Sequence, residues 1–151
     1  MPLIMIKIYN YINGELKKPC GGKYIDNYSP ATGSVYSFIP DSDERDVEEA
    51  VAAAKNAFKG WASLSHDARA GYLSRVADLI KLELDELARA ESIDNGKPVW
   101  LAKSVDIPRA ASNFDFYASA IRHFASESHS MGDVALNYTL RKPIGVVGCI
   151  S

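Results

Sequence analysis

Cysteine is scarce: Cys20 and Cys149 are the only two in 151 residues. Two thiols cannot build the disulfide framework that small secreted domains rely on, so a reducing, cytoplasmic setting is expected. Long apolar runs are missing too. Nothing approaches the ~20 consecutive residues that a membrane-spanning helix needs. Neither sign of charge dominates: 17 Lys and Arg face 19 Asp and Glu, for a formal net charge of -2. No basic field is therefore present to hold nucleic acid. Histidine is limited to His66, His123 and His129. None stands at metal-ligand spacing from a cysteine, which argues against zinc. No Gly-x-Gly-x-x-Gly and no Walker pattern occurs, so no phosphate-cradling loop is legible. Internal repeats and low-complexity tracts are likewise missing.

What is present is an ordinary globular composition, 47% hydrophobic and 24% charged. Residues 1–7 read as a leading strand or a loose end. Residues 6–12 are rich in Ile and Tyr and run into Asn13-Gly14, the strongest short hairpin signal, because both central residues of a type I′ turn need positive φ. A short return strand passes through Leu16. Strands over 24–28 and 34–39 flank the Ser29-Pro-Ala-Thr-Gly33 turn.

The period then becomes helical. Asp43 caps a helix whose apolar stripe is Val47, Ala50, Val51, Ala54 and Phe58, and Gly60 is expected to end it. Ser65 caps a second helix, expected to run to about residue 93 with a bend near Leu84. Gly96 suits a left-handed helix terminus, and Pro98 the first turn of the next helix. Asp106 is expected to cap a further helix, with Phe114, Tyr117, Ala118, Ile121 and Phe124 on its packing face and fraying around His129 and Met131. Residues 135–141 alternate as a strand. After Pro143, the apolar 144–150 run reads as a strand buried on both faces, as in a parallel sheet covered by helices.

Few residues point to chemistry. Cys149, inside an apolar strand, reads as a small inert hydrophobe, since activation of a thiol needs a base or a cation nearby. Cys20 reads as an exposed loop residue. Asp94 lies at a helix end where free carbonyls collect. It either helps to hold a hard cation or only makes turn hydrogen bonds. The aromatics Phe114, Tyr117 and Phe124 read as core, unless they pack on groups outside this sequence.

Five stretches, in order, resemble the N-terminal part of the NAD(P)-dependent aldehyde dehydrogenase superfamily. They are Tyr11-Ile-Asn-Gly-Glu15, Tyr28-Ser-Pro-Ala-Thr-Gly33, Asp46-Val-Glu-Glu-Ala-Val51 with Ala54, Ala57, Phe58 and Trp61, Glu91-Ser-Ile-Asp-Asn-Gly-Lys-Pro98, and Arg141-Lys-Pro-Ile-Gly-Val146. The segments Asp106-Ile-Pro-Arg109 and Asn113-Phe-Asp-Phe-Tyr-Ala118 look most like the 2-aminomuconic and 2-hydroxymuconic semialdehyde branch, and resemble betaine aldehyde dehydrogenases as well.

The resemblance implies an incomplete α/β fold: small strands, a helical block and the first strand of a Rossmann-type sheet. It divides the chain into the strands and helical part of the NAD-binding domain over 1–134, the start of an oligomerisation arm over 135–142, and the first buried strand of the dinucleotide-binding sheet over 143–151. It implies oxidation of an aldehyde by a cysteine thiolate, with hydride passing to NAD and a glutamate-activated water releasing the acid. No catalytic residue is expected among these 151 residues, because neither cysteine matches the nucleophile position. Ile150 and Ser151 match the start of the segment lining the cofactor cleft. Asn27, Tyr28 and Asp94 match a structural monovalent-cation site, the first two mainly through backbone carbonyls. Homo-oligomerisation belongs to the full-length form. The alternative is a genuine short, non-catalytic product that acts as an assembly partner of full-length subunits. An unrelated helical binding module is the third reading.

Overall fold

The computed structural model describes residues 6–150; the reading of residues 1–5, and the assignment of Ser151, lie outside them. The described chain opens with strands, up to Pro40, and their anchor is β5 (Ser34–Pro40), which pairs on both sides. β4 (Tyr24–Ser29) runs antiparallel to it, with Ile25 opposite Ile39 and Asn27 opposite Ser37. The register shifts between Asn27 and Tyr28. The intervening turn closes with the Gly33 N–H donating to Ser29 O at 2.8 Å.

The expected single strand over 6–12 divides. β1 (Ile6–Lys7) pairs parallel with β5, while β2 (Asn10–Ile12) leaves to pair with β3 (Glu15–Lys17). β5 pairs with only Ile6 and Lys7, and the rest of the stretch turns to β3, where Ile12 is buried. The hairpin turn is the one foreseen, with Asn13 at φ 54° and Gly14 at φ 82°.

Five α-helices and one π-helical turn follow. α1 (Glu44–Ala62) starts on a capping box, with Asp43 as the cap and Asp46 reaching back to the Asp43 N–H. Gly60 does not end it. A single glycine costs a helix interior only about 1 kcal/mol, and the carbonyls at and just before it are still served: Ser63 donates its Oγ to Gly60 O and its N–H to Lys59 O. Trp61 thus sits in the last turn, 5.4 Å from the Tyr72 ring.

The helix expected to run to about residue 93 is two helices. α2 (His66–Leu82) stops where Glu83 leaves helical geometry at ψ 19°, and α3 (Leu84–Asn95) restarts at once. Gly96 takes the left-handed terminus at φ 80°. Pro98 is the extended residue before α4 (Val99–Leu101), one place earlier than expected.

Asp106 is not a cap. The chain passes through it in a π-helical turn (Ala102–Asp106) directly into α5 (Ile107–His123). Pro108 explains the turn. It lacks an N–H, and its ring would press on the carbonyl four residues back. A wider i→i+5 turn, with the Ile107 N–H on Ala102 O, relieves both.

The core is made of alanines. α2 and α5 pack through Ala70 and Ala77 against Ala111 and Ala118, all at most 2% exposed. Both pairs are seven residues apart, which returns to the same helix face and lets the two helices approach closely. The aromatic face expected to pack therefore flanks the seam: Tyr117 and Phe124 are 63% and 61% exposed. Phe124 instead carries the Arg141 guanidinium over its ring at 4.5 Å.

His129 and Met131 do not fray. Residues Ser128–Ser130 form β6, paired with β7 (Leu136–Tyr138), because the alternating 135–141 stretch offers a partner ladder. The 144–150 run is not a buried strand. No ladder is formed along it, and Ile144 is 92% exposed. A strand exists only against a neighbour, and among the described residues none lies beside it. Cys149 is accordingly exposed rather than enclosed.

Candidate functional site

Strand register builds the main polar cluster. Asn27 on β4 lies opposite Ser37 on β5, so its amide donates to Ser37 Oγ at 3.1 Å and to the Tyr36 hydroxyl at 2.9 Å. The end of α3 brings Asp94 to the same point. Asp94 Oδ1 accepts from Asn27 Nδ2 at 3.1 Å and from the Tyr36 hydroxyl in a short contact. These two donors, the Tyr36 hydroxyl first, hold the Asp94 carboxyl below the usual carboxylate range. Burial, reinforced by the charge it serves, pushes the Tyr36 phenol up.

Of the three residues assigned to a cation by resemblance, the fold thus brings two together. Tyr28 stands apart: its ring is 55% exposed and its hydroxyl lies 3.5 Å from Asp26 Oδ2. Only its backbone remains to join such a site. Asp94 is served here by N–H and O–H donors, so its charge is satisfied within the chain. A cation fits this set only if oxygens, such as backbone carbonyls or the Asn27 amide oxygen, replace the Asn27 N–H. Among the described residues no group of three or more His, Cys, Asp and Glu side chains is placed to hold a metal ion.

Tyr36, as a partner of Asp94, and Ser37, as a partner of Asn27, are not legible in the sequence. Tyr36 lies 58 positions before Asp94 and Ser37 lies 10 after Asn27, and only the fold reveals either meeting. The Lys97 node is missed although its partners lie only six and nine positions away, because the π-helical turn that carries Asp106 is not legible in the sequence. Lys97 Nζ reaches Asp106 at 2.6 Å and Glu91 at 3.1 Å, tying the end of α3 to the π-helical turn. Both carboxylates, Asp106 first, raise the Lys97 ammonium above its ordinary range.

The Cys20 thiol is not armed. Cys20 shares a hydrogen bond with Asp46, and this carboxylate pushes the thiol up, away from the reactive thiolate. Asp46 itself is buried and accepts from the Cys20 and Asp43 backbone N–H groups at 2.9 and 3.0 Å. It floors a hollow of about 230 Å³ lined by Asn10, Ile12, Ser42, Val47 and Ala50, with its own hydrogen-bonding capacity used by the chain. Ile150 is fully exposed and touches no site.

Paired small sheets and an alanine-seamed helical block place the described residues in the α/β class. The comparisons give that class its family. The aldehyde dehydrogenase family matches residues 17–151. The chain is 45% identical over 148 residues to 2-aminomuconic semialdehyde dehydrogenase of Bos taurus, covering 97% of this chain and 30% of that protein. It is 40% identical to 2-hydroxymuconic semialdehyde dehydrogenase of Pseudomonas sp. (strain CF600), covering 97% of this chain and 31% of that one. Among solved structures, PnpE in complex with nicotinamide adenine dinucleotide superposes with a TM-score of 0.86 at 34% identity, over 91% of this chain and 28% of that one. Indole-3-acetaldehyde dehydrogenase in its apo form gives a TM-score of 0.87 at 29% identity, over 94% of this chain and 34% of that one.

This chain belongs to the aldehyde dehydrogenase family, and its similarity points to the aminomuconic and hydroxymuconic semialdehyde branch. It spans about a third of the length of the curated relatives it matches.

Proposed function

We propose that these residues form the N-terminal part of an NAD-dependent dehydrogenase that oxidises an aldehyde, of the muconic semialdehyde class, to a carboxylic acid. The observation that carries the reading is a family match along nearly the whole chain to about a third of each relative. In that reaction a thiolate adds to the aldehyde carbon, NAD takes the hydride, and water releases the acid. This chain's residues supply none of the groups that react. Its part is to build the strand and helical block of the NAD-binding domain over 1–134. Residues 135–142 begin the oligomerisation arm. Residues 143–151 form the first strand of the dinucleotide sheet once neighbours flank them, with Ile150 and Ser151 at the cofactor cleft. The exposure of the 144–150 run supports this last role, because β-branched residues at full exposure are otherwise costly.

Residues 1–151 alone are inactive in this reading. Incubation of the purified chain with NAD and a semialdehyde, followed at the absorbance of NADH, yields no reduced cofactor. Sustained NADH formation that survives removal of contaminating enzyme overturns it. The second reading is a non-catalytic assembly partner, and the open β6–β7 hairpin edge and bare apolar run favour it. The mass of the polypeptide in its source separates the two.

Asn27, Tyr28 and Asp94 are proposed to hold a structural monovalent cation, the first two mainly through their backbone carbonyls. What supports it is the meeting of β4 with the end of α3, which brings Asp94 beside Asn27; the cation would take the place now held by the Asn27 N–H. A cytoplasmic setting is part of the same proposal. Among the described residues, no helix is long and apolar enough to cross a membrane.

A further inference from the structure

The sequence holds two Asn-Gly pairs, Asn13-Gly14 and Asn95-Gly96. Asn-Gly is chemically fragile. The glycine amide nitrogen, on losing its proton, attacks the asparagine Cγ. A nitrogen–carbon bond forms, the side-chain nitrogen leaves as ammonia, and a five-membered succinimide results. Water then opens either ring carbonyl, giving aspartate or its β-linked isomer. No oxidant or other co-reactant is needed. Glycine favours the step because it has no side chain to obstruct the ring.

All four residues are exposed, so access by water does not distinguish the pairs. Hydrogen bonding does. The Asn95 amide donates to Glu91 Oε1 at 2.6 Å, and its oxygen accepts from the Lys97 N–H at 3.0 Å. The attacking nitrogen is held as well, since the Gly96 N–H donates to Ser92 O at 2.9 Å. Ring closure at Asn95 must break all three bonds and turn Gly96 away from Pro30, against which it is packed. Asn13 has no such restraint. Among the described residues no side-chain bond engages its amide, no backbone carbonyl takes the Gly14 N–H, and nothing stands within 4 Å of the Gly14 Cβ position. Its hairpin has only three residue pairs, and two short strands open locally at low cost.

We propose that Asn13 is a site of spontaneous deamidation and that the fold protects Asn95. The consequence falls on β2–β3. Aspartate at position 13 still suits the two-residue turn. The β-linked isomer adds a methylene to the main chain between Ile12 and Glu15 and breaks their register. The modified hairpin then loses its grip on α1, which rests on Asn10 with Asp46 and on Lys17 with Glu49.

The test uses the native protein that carries these residues, aged in mildly alkaline buffer, with the same protein aged in urea as reference. Peptide mapping by mass spectrometry reads the NH₂-to-OH mass change at each site, and chromatography separates the two isomers. Asn13 should convert in the folded protein within a few-fold of its rate in urea. Asn95 should fall below its urea rate by on the order of tenfold or more, as loss of several hydrogen bonds on opening implies. Equal protection at both sites, or faster conversion at Asn95, overturns the proposal.

Discussion

Asp94 shows how much one side chain depends on residues far from it. Its carboxylate is stabilised by a hydroxyl from β5 and an amide from β4. A carboxylate held below its ordinary range contributes stability that is fully present above the unfolded value near ~4 and is lost as pH falls through the lower folded value. Asp94→Asn should therefore weaken the fold at neutral pH and flatten the acid limb of a plot of urea midpoint against pH. The same variant reads the cation proposal. If a cation binds there, the Tm of the parent is higher in potassium than in tetramethylammonium salt, and the variant loses the difference. An acid limb unchanged by the substitution would show that the three-residue cluster does not hold Asp94 in solution.

At the scale of elements, two glycines in helical segments carry opposite predictions. Gly60 lies inside α1 with nothing near its missing Cβ and no positive φ. Gly60→Ala should stabilise the chain by about 0.5–1 kcal/mol. Gly96 ends α3 at φ 80°, and a Cβ there would meet the Pro30 side chain at 3.2 Å. Gly96→Ala should destabilise by about 1–2 kcal/mol, the cost of a left-handed alanine before any crowding. Chemical denaturation of both variants checks the signs, and matching signs would mean that α1 really ends before Gly60 or that Gly96 is not left-handed. From sequence, both glycines looked like stops. The deciding difference is that the Ser63 hydroxyl serves the Gly60 carbonyl itself, a bond that no propensity scale contains.

The whole molecule leaves much apolar surface open. Leu82 is 75% exposed, Val134 89% and Ile144 92%, and the β6–β7 hairpin has free edges. Surface of this kind drives association when nothing covers it. Residues 1–151 by themselves should self-associate on concentration and bind a dye that reports exposed apolar patches. Sedimentation and dye fluorescence across a dilution series measure this. A monodisperse monomer that ignores the dye would mean that the chain covers its own faces.

Local chemistry was readable without coordinates. Asn13-Gly14 set the hairpin, Asp43 and Ser65 capped their helices, and Gly96 took the left-handed terminus, because each depends on neighbours within a few residues. The family was readable too, since ordered motifs survive in one dimension. What tertiary structure alone decided is non-local. The 6–12 stretch divided between two sheets because β5 offered a partner to only part of it. Alanines rather than aromatics made the helix seam, because close approach of α2 and α5 rewards small side chains. The apolar 144–150 run, for all its β-branched character, forms no strand among these residues, because a strand is a relation between segments rather than a property of one.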